Sequence, residues 1–178
     1  MSDANTPPHI DTIDSDSASP QSVLKNVLDT HDYEIFRALN EDGRMSDTDL
    51  AERVGLSRTA VRRRRENLES DDVLEVLAVI VLQAADLAYG DVLIQFDHTV
   101  PATERKQFVR KVLDEGLIYR VDSCIGEHDL LISTWNETLN DVKEYVWDLF
   151  EDESVVKEYT IIPIVKTWKA WDKELDRP

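Results

Sequence analysis

The sequence predicts an α+β fold with two parts, an N-terminal winged helix-turn-helix and a ferredoxin-like βαββαβ domain. Residues 32–69 contain three apolar stripes at helical spacing, and Gly43 and Gly55 separate them. Further along, the apolar pattern changes to strand, helix, strand, strand, helix, strand. We therefore assign residues 22–82 to the helix-turn-helix with a linker strand, and residues 83–178 to the βαββαβ domain.

Composition limits what such a chain can bind. Its 178 residues suffice for one ordinary domain or two small ones, and an apolar content of 42% is enough for a packed core. It carries 37 acidic and 20 basic residues, a formal net charge of -17, so contact with DNA requires a local basic patch. The spread of acidic residues resembles the surface of a halophile's cytoplasmic protein, in which salt screens self-repulsion. An ordinary acidic cytosolic protein is the alternative.

The N-terminal segment, residues 1–21, is predicted to be a disordered acidic leader. It is polar, contains three prolines and four aspartates, and has no Lys or Arg. It lacks the positive charge of a secretory signal, and no run in the chain approaches the roughly 18 apolar residues that span a bilayer. We therefore expect a cytoplasmic protein.

Cysteine usage and motif spacing argue against several kinds of chemistry. Cys124 is the single cysteine, which excludes a disulfide framework and a Cys-rich zinc site. It stands in an alternating apolar run, where we expect a small buried hydrophobe. The sequence shows no metal-ligand spacing, no nucleophile–base pair and no phosphate-binding loop. We therefore expect no catalytic residue, no cofactor and no metal.

Three helices are predicted in the first domain. The first spans about residues 32–41. Ser46 is the predicted N-cap of the second helix, Asp47–Val54, whose first turn is acidic. Gly55 ends this helix in a left-handed C-cap, and Ser57 caps the third helix.

The stretch after the third helix allows two interpretations. Residues 73–82 alternate weakly and then become continuously apolar. They form either a two-stranded wing or one long strand that leaves the helix-turn-helix. Residues 83–90 are the predicted link to the second domain.

The second domain is predicted to hold four strands and two helices. In order, they are a strand with Val92, Ile94 and Phe96, a helix between Pro101 and Gly116, strands at 117–124 and 129–135 joined by a turn at Gly126, a helix at about 139–150 and a strand at 159–165. A βαββαβ domain places both helices on one face of its sheet. If the other face is apolar it needs a partner, usually a second subunit.

Arginine is concentrated in the helix-turn-helix, residues 47–66, and just before it. Between Arg44 and Asn67, seven arginines and four carboxylates give a local charge of +3, which leaves -20 for the rest of the chain. A positive region in so acidic a protein indicates contact with DNA phosphate. A merely solvated helix face is the alternative.

The predicted helix start agrees with DNA contact. A helix capped by Ser57 presents backbone N–H groups and the positive end of its dipole. Arg58 and Thr59 are expected to reach base edges in the major groove, whereas Arg62 and Arg63 mainly hold phosphate. Arg64 is expected to contact base edges or phosphate, or to brace the helix instead. The predicted DNA-binding residues are Ser46, Ser57, Arg58, Thr59, Arg62, Arg63 and Arg64.

At these residues the chain resembles the Lrp/AsnC family, the leucine-responsive and asparagine-synthetase-type feast/famine regulators. The matching stretches begin at Leu28, LDTHDYEIFRALNEDGRMSDTDLAERVGLSRTAVRRRRENLE, and at Cys124, CIGEHDLLIS. The resemblance covers residues 28 to about 166. Many regulators share a helix-turn-helix, but its combination with a βαββαβ domain carrying Gly126-x-x-Asp129 is much more specific.

Four positions depart from the family pattern. Arg65 stands where the family usually has an aliphatic core residue, so its charged tip must reach solvent or pair with a carboxylate. Asp72 replaces a glycine in a left-handed position after the third helix. Ala88 replaces a glycine before the second domain, and His128 replaces a tyrosine at the turn.

The resemblance implies partners as well as a fold. In the family, the C-terminal domain dimerises through its sheet, and dimers often assemble into tetramers or octamers. Amino acids or related metabolites bind near the Gly-x-x-Asp turn. The implied partners are promoter or operator DNA, a second copy of the chain and a small-molecule effector, such as an amino acid, at Gly126, Glu127, His128 and Asp129. A purely structural role of Asp129 in its own turn is the alternative.

Two other functions use the same pair of domains. Some such proteins resemble sirohaem decarboxylases of haem biosynthesis, whose chemistry needs basic residues around a tetrapyrrole with many carboxylates. The second domain here has only His98 and His128 as histidines and stays acidic, so we do not expect an enzyme. A ligand-sensing adaptor with little DNA binding is the third candidate, and the arginine run argues against it.

Overall fold

The computed structural model of the chain describes residues 19–175. The chain divides into two compact units, of which the first ends at Ala78 and the second begins at Val79. This division falls a few residues before position 83, where the sequence analysis starts the second domain. The predicted leader lies outside the described residues up to position 18. Its last residues instead begin a short helix, α1 (Pro20–Leu24), which Ser19 caps.

Three longer helices of the first unit form the predicted helix-turn-helix: α2 (Thr30–Glu41), α3 (Asp47–Val54) and α4 (Arg58–Ser70). A helix start leaves backbone N–H groups without partners, so each begins at a side-chain cap. The caps are Asp29, Ser46 and Ser57, and each accepts a hydrogen bond from the backbone N–H three residues later. Gly55 ends α3 at a φ of 70°, in the left-handed region as predicted.

The three helices share one apolar core. Ile35 of α2, Leu50 of α3 and Val61 of α4 are fully buried in it. Each such side chain stabilises the fold by about 1.5–3 kcal/mol. Because α4 also buries Leu68 on the side of Val61, its opposite side faces solvent along the helix.

The predicted wing or linker strand is wrong for the stretch 73–82. Residues 73–81 form no strand, and Leu82–Ala85 is a single 3₁₀ turn. A strand requires a neighbouring strand for its backbone hydrogen bonds, and none pairs with this stretch within the described residues. Leu74 packs against the helical core, whereas Leu77 and Ile80 remain exposed. Continuous apolarity at this position therefore did not indicate a paired strand.

The second unit has the predicted βαββαβ order. Its elements are β1 (Ala88–Phe96), α5 (Ala102–Leu113), β2 (Ile118–Ser123), β3 (Leu130–Asn136), α6 (Leu139–Phe150) and β4 (Val156–Ile164). The four strands form an antiparallel sheet in the order β2-β3-β1-β4. A small hairpin that the sequence analysis missed follows, with strands β5 (Lys169–Ala170) and β6 (Lys173–Glu174). Its turn residues Trp171 and Asp172 both have positive φ, as tight hairpin turns require.

Both helices pack on one face of the sheet. Val92 and Ile94 of β1 and Ile132 of β3 are fully buried beneath them. Phe108 of α5 contacts Phe150 of α6, with ring centroids 5.7 Å apart. The core of this unit therefore lies between the helix pair and one side of the sheet.

The other side of the sheet carries a mixed surface, which we call the open sheet face. It consists of the side chains that point away from α5 and α6: Tyr89, Asp91, Leu93, Gln95, Leu131, Ser133, Trp135, Thr160, Ile162 and Ile164. Tyr89 and Ser133 are nevertheless buried. Asp91 accepts a hydrogen bond of 2.5 Å from the Ser133 hydroxyl across β1 and β3. The pair Leu93 and Leu131 lies on one side of this polar pair along the strands, and the pair Tyr89 and Trp135 on the other.

Candidate nucleic-acid interface

Helix α4 presents one exposed polar side, which we call the arginine surface: Arg58, Thr59, Arg62 and Arg63. Successive residues of an α-helix differ by about 100°, so Thr59 and Arg63 lie nearly opposite the buried Val61, whereas Arg62 lies about 100° from it and Arg58 about 60°. Arg58 and Arg63 form no ion pair within residues 19–175, whereas Arg62 donates to Glu66 at 2.7 Å. That hydrogen bond raises the pKa of Arg62 further, so the side chain is always charged. The surface therefore offers three exposed guanidinium groups.

Arg64 points away from this surface. Its side chain is 27% exposed, and its guanidinium donates to Asp29 at 2.6 Å and to Asp32 at 2.7 Å. Asp29 is the N-cap of α2, so Arg64 ties α4 to the start of α2. The sequence analysis included Arg64 in the DNA-binding set but left a bracing role open, and the geometry favours the brace. Two carboxylates already bind the Arg64 guanidinium, which would otherwise be available to a DNA phosphate.

Arg65 also turns toward carboxylates, as its departure from an aliphatic residue led us to expect. It lies 3.0 Å from Asp47 of α3 and 3.2 Å from Glu69. The Asp47 contact is an ion pair without hydrogen-bond geometry. Asp72 has a φ of 54°, which confirms the predicted left-handed position after α4.

The two serines of the predicted DNA-binding set are engaged in capping. Ser46 accepts from the backbone N–H of Asp49, and its hydroxyl donates to the Asp49 carboxylate at 2.7 Å. The Ser57 hydroxyl accepts from the backbone N–H of Ala60 at 3.2 Å. Both serines fix the starts of helices, and Ser57 stays exposed beside Arg58.

The predicted effector residues, Gly126, Glu127, His128 and Asp129, form the turn between β2 and β3 in the second unit. Gly126 has a φ of 134°, and a Cβ added there would meet nothing within 4 Å. The Asp129 carboxylate accepts from the backbone N–H of Phe96 at 2.8 Å and lies 3.4 Å from the His98 imidazole. Asp129 therefore holds the turn against β1. Cys124, which we expected to be buried, is half-buried at its start.

The comparisons with known proteins agree with this geometry. Residues 28–69 match the AsnC-type helix-turn-helix domain. An uncharacterized HTH-type transcriptional regulator of Pyrococcus horikoshii is 28% identical over 153 residues, which covers 83% of this chain and 96% of the relative. The leucine-responsive regulatory protein of Rhizobium meliloti is 29% identical over 157 residues, which covers 86% and 99%.

The chain carries an AsnC-type helix-turn-helix and is similar to Lrp/AsnC regulators over most of its length.

Solved structures show the same fold as this chain. A transcriptional regulator of Neisseria meningitidis, determined as a complex with L-Met, has a TM-score of 0.72 at 22% identity and covers 85% of this chain and 96% of its own. E. coli AsnC has a TM-score of 0.65 at 13% identity, with coverages of 79% and 94%. The chain is a transcriptional regulator with a DNA-binding helix-turn-helix.

The part of the chain that the structure describes contains neither a metal-ligating cluster nor a helix suited to span a membrane. Residues 19–175 hold no group of three or more His, Cys, Asp or Glu side chains arranged for a metal ion. No helix in that range has the length and apolar character needed to cross a membrane.

Sequence reasoning missed the partners that hold both candidate sites. Asp29 and Asp32 lie more than 30 positions before Arg64, and the only signal was two acidic residues at the start of α2. Gln95 donates to the backbone carbonyl of Glu127 at 3.2 Å, and no local pattern pointed to it. The register of the strands brings Gln95 close enough to Glu127 for this contact.

We expect Arg64→Gln to lower the free energy of unfolding of the first unit by about 1 kcal/mol, because two carboxylates lose a charged donor in a partly hydrated setting. Arg63→Gln is the matched control, since Arg63 is exposed and forms no ion pair within residues 19–175. Urea unfolding by far-UV circular dichroism measures the loss. All four tryptophans lie in the second unit, so their fluorescence follows that unit separately.

The same brace predicts a pH dependence. The backbone N–H of Asp32 and the Arg64 guanidinium lower the pKa of the Asp29 carboxyl. Its stabilising effect is complete above the unfolded pKa of about 3.9 and is lost as pH falls through the lower folded pKa. The difference between the parent and Arg64→Gln should therefore shrink in acid. Equal effects of Arg64→Gln and Arg63→Gln at neutral pH would contradict the brace.

Proposed function

We propose that this chain is a sequence-specific regulator that reads DNA with the arginine surface, dimerises through the open sheet face and responds to an amino acid or related metabolite near residues 126–129. The arginine surface carries the proposal. Three exposed guanidinium groups on one side of a helix need a local reason in a chain of net charge -17. Binding to a nucleic-acid backbone is such a reason, because its phosphate groups attract clustered cations and offset the repulsion between them.

The positions of the arginines suggest different tasks. Arg58 and Thr59 occupy the first turn of α4, next to the Ser57 cap, and this end of a recognition helix reads base edges. Arg58 has two parallel donors for the acceptor pair of a guanine. Arg63 lies further along and suits phosphate. Arg62 suits phosphate as well, because the hydrogen bond to Glu66 uses only its Nε–H and leaves the donors of the two terminal amino groups.

Dimerisation through the open sheet face follows from its composition. Leu93 and Leu131 pair across β1 and β3 on it, Trp135 lies on the same face beyond the Asp91–Ser133 pair, and Ile162 is 40% exposed. A second copy related by a two-fold axis would cover these side chains with their equivalents. The same axis would relate two recognition helices, so the half-sites would be inverted repeats about one helical turn apart.

Effector binding is proposed for the turn because its backbone is open to approach. Gly126 leaves space where any side chain would stand. The L-Met complex of the Neisseria relative supports an amino acid as the ligand class. Because its carboxylate already binds the Phe96 N–H, Asp129 is proposed to position the turn, while Glu127 and His128 face the ligand.

For DNA contact, we expect Arg58→Ala to relax base preference at one position in each half-site, at a cost of about 1–3 kcal/mol. Arg63→Ala should weaken binding to all sequences about equally and reduce the salt slope by about one. Arg37→Ala, which removes an exposed arginine of α2, is the control for net charge. Binding-site selection and salt titrations give these results. An unchanged motif for Arg58→Ala would contradict its assignment to base reading.

For dimerisation, Ile162→Asp should produce a folded chain that no longer associates through the sheet, because a carboxylate resists burial in an apolar interface. Val23→Asp adds the same charge at an exposed position of α1 and should leave the mass unchanged. Light scattering at micromolar concentration measures both. A parent protein that is strictly monomeric rules the interface out.

For the effector, one or more of the twenty amino acids should shift DNA affinity of the parent, and Gly126→Val should abolish that shift. Valine at a φ of 134° is strained and fills the open space. Gly116→Val is the control, because a Cβ there meets nothing and its φ is ordinary. DNA titrations with and without each amino acid test this. A response retained by Gly126→Val would remove the turn from the effector site.

A further inference from the structure

One carboxylate lies among the arginines of the arginine surface. Helix α4 has two acidic residues, Glu66 and Glu69, and Glu66 follows Arg62 by about one helical turn. The side chain of Glu66 is 56% exposed, and its Oε1 accepts a hydrogen bond of 2.7 Å from Arg62 Nε. Glu66 therefore lies where the chain is proposed to meet DNA, and a negative charge at that place requires an explanation.

The geometry of α4 places Glu66 in the middle of this surface. Measured from the buried Val61, Arg62 lies at about 100° and Arg63 at about 200° around the helix axis. Thr59 at about 160° and Glu66 at about 140° lie between these two arginines. A helix in the major groove directs the middle of its exposed side at the base edges and its flanks at the phosphates. Glu66 thus faces base edges when Arg62 and Arg63 hold phosphate.

The ion pair with Arg62 is a weak reason for a carboxylate at this position. Exposed pairs four residues apart in a helix contribute little to stability, and the order with the basic residue first is the less favourable one. Beside DNA, the charge of Glu66 repels phosphate and weakens binding to every sequence. Only a hydrogen-bond donor on the DNA offsets that repulsion.

The major groove offers few such donors. An ionised carboxylate only accepts hydrogen bonds, and the donors on the base edges are the amino groups of cytosine and adenine. In an A·T pair the amino group lies between two acceptors, adenine N7 and thymine O4, which repel a carboxylate. In a C·G pair the amino group has an acceptor on one side only, guanine O6. Cytosine therefore suits Glu66 best.

We propose that Glu66 determines specificity by accepting a hydrogen bond from the N4 amino group of a cytosine in each half-site. Its Oε1 stays bonded to Arg62 Nε, which fixes the carboxylate and leaves Oε2 for the base. The inference rests on the proposed reading of DNA by the arginine surface and names a base that this surface selects. Arg58 precedes Glu66 by eight residues, so the cytosine lies within about four base pairs of the position that Arg58 reads.

The test separates the affinity of the full chain from its discrimination between bases. Binding-site selection with the parent first gives the half-site. Glu66→Gln should then bind non-specific DNA more tightly, because a charge that repels phosphate is lost. At the same time, its preference for cytosine over adenine at one position should fall about tenfold, because glutamine pairs with adenine through its own donor and acceptor. Titrations of both proteins with duplexes that carry C·G or A·T at that position measure this coupling.

Glu69→Gln is the matched control on the same helix. Glu69 pairs with Arg65 at 3.2 Å across the same four-residue spacing, but it lies about 80° from Val61, outside the sector between the two flanking arginines. The substitution removes the same charge and should leave the selected motif unchanged.

Arg62→Ala distinguishes base reading by Glu66 from a role in which Glu66 only orients Arg62. If Glu66 contacts the base, Arg62→Ala should weaken binding to all sequences and retain the preference for cytosine. If Glu66 acts only through Arg62, both variants should lose the preference, which contradicts the proposal.

The proposal is also overturned if Glu66→Gln leaves the motif unchanged, or if Glu69→Gln relaxes the same position to the same extent. A parent protein without any sequence preference would overturn the proposed function together with this inference. A motif that depends on Arg58 but not on Glu66 would overturn this inference alone.

Discussion

A formal charge of -17 makes cations scarce in this chain, and their placement governs both units. Some are held by carboxylates of another element, as Arg64 is by the start of α2 and Lys111 is by Glu153 after α6. These pairs join elements that apolar packing already brings together. Others, such as Arg58 and Arg63, stay exposed and form no ion pair within residues 19–175. An arginine or lysine therefore either stabilises the fold or stays exposed, depending on whether the packing brings a carboxylate near it.

The recognition helix illustrates how these two uses depend on each other. Val61 and Leu68 fix which side of α4 is buried, and that choice sends Arg64 toward α2 and leaves Arg62 and Arg63 in solvent. Three consecutive arginines thus have two different environments because the helix turns by about 100° per residue. The ion pairs of Arg64 with Asp29 and Asp32 hold α4 against the start of α2, and the arginine surface lies on another side of α4.

The second unit repeats the division between structural and exposed polar groups. Asp129 holds its turn to the backbone of Phe96, so the carboxylate that suggested an effector contact mainly maintains the local fold. Gly126 leaves the turn open in front of it. The sheet then separates two surfaces of different character, one mixed and partly apolar, the other formed by the charged outer sides of α5 and α6.

The sequence alone determined the features that depend on near neighbours. Caps such as Ser46 and Ser57 act over three residues, Gly55 acts at one, and apolar periodicity is complete within a single element, so the helices and the βαββαβ order were predictable. Only the tertiary structure decided which distant groups meet. Arg64 finds its carboxylates 32 and 35 positions away, and Asp129 finds its N–H 33 positions away. The absence of strands from 73–81 has the same cause, because a strand exists only when another segment pairs with it, and no periodicity records that pairing.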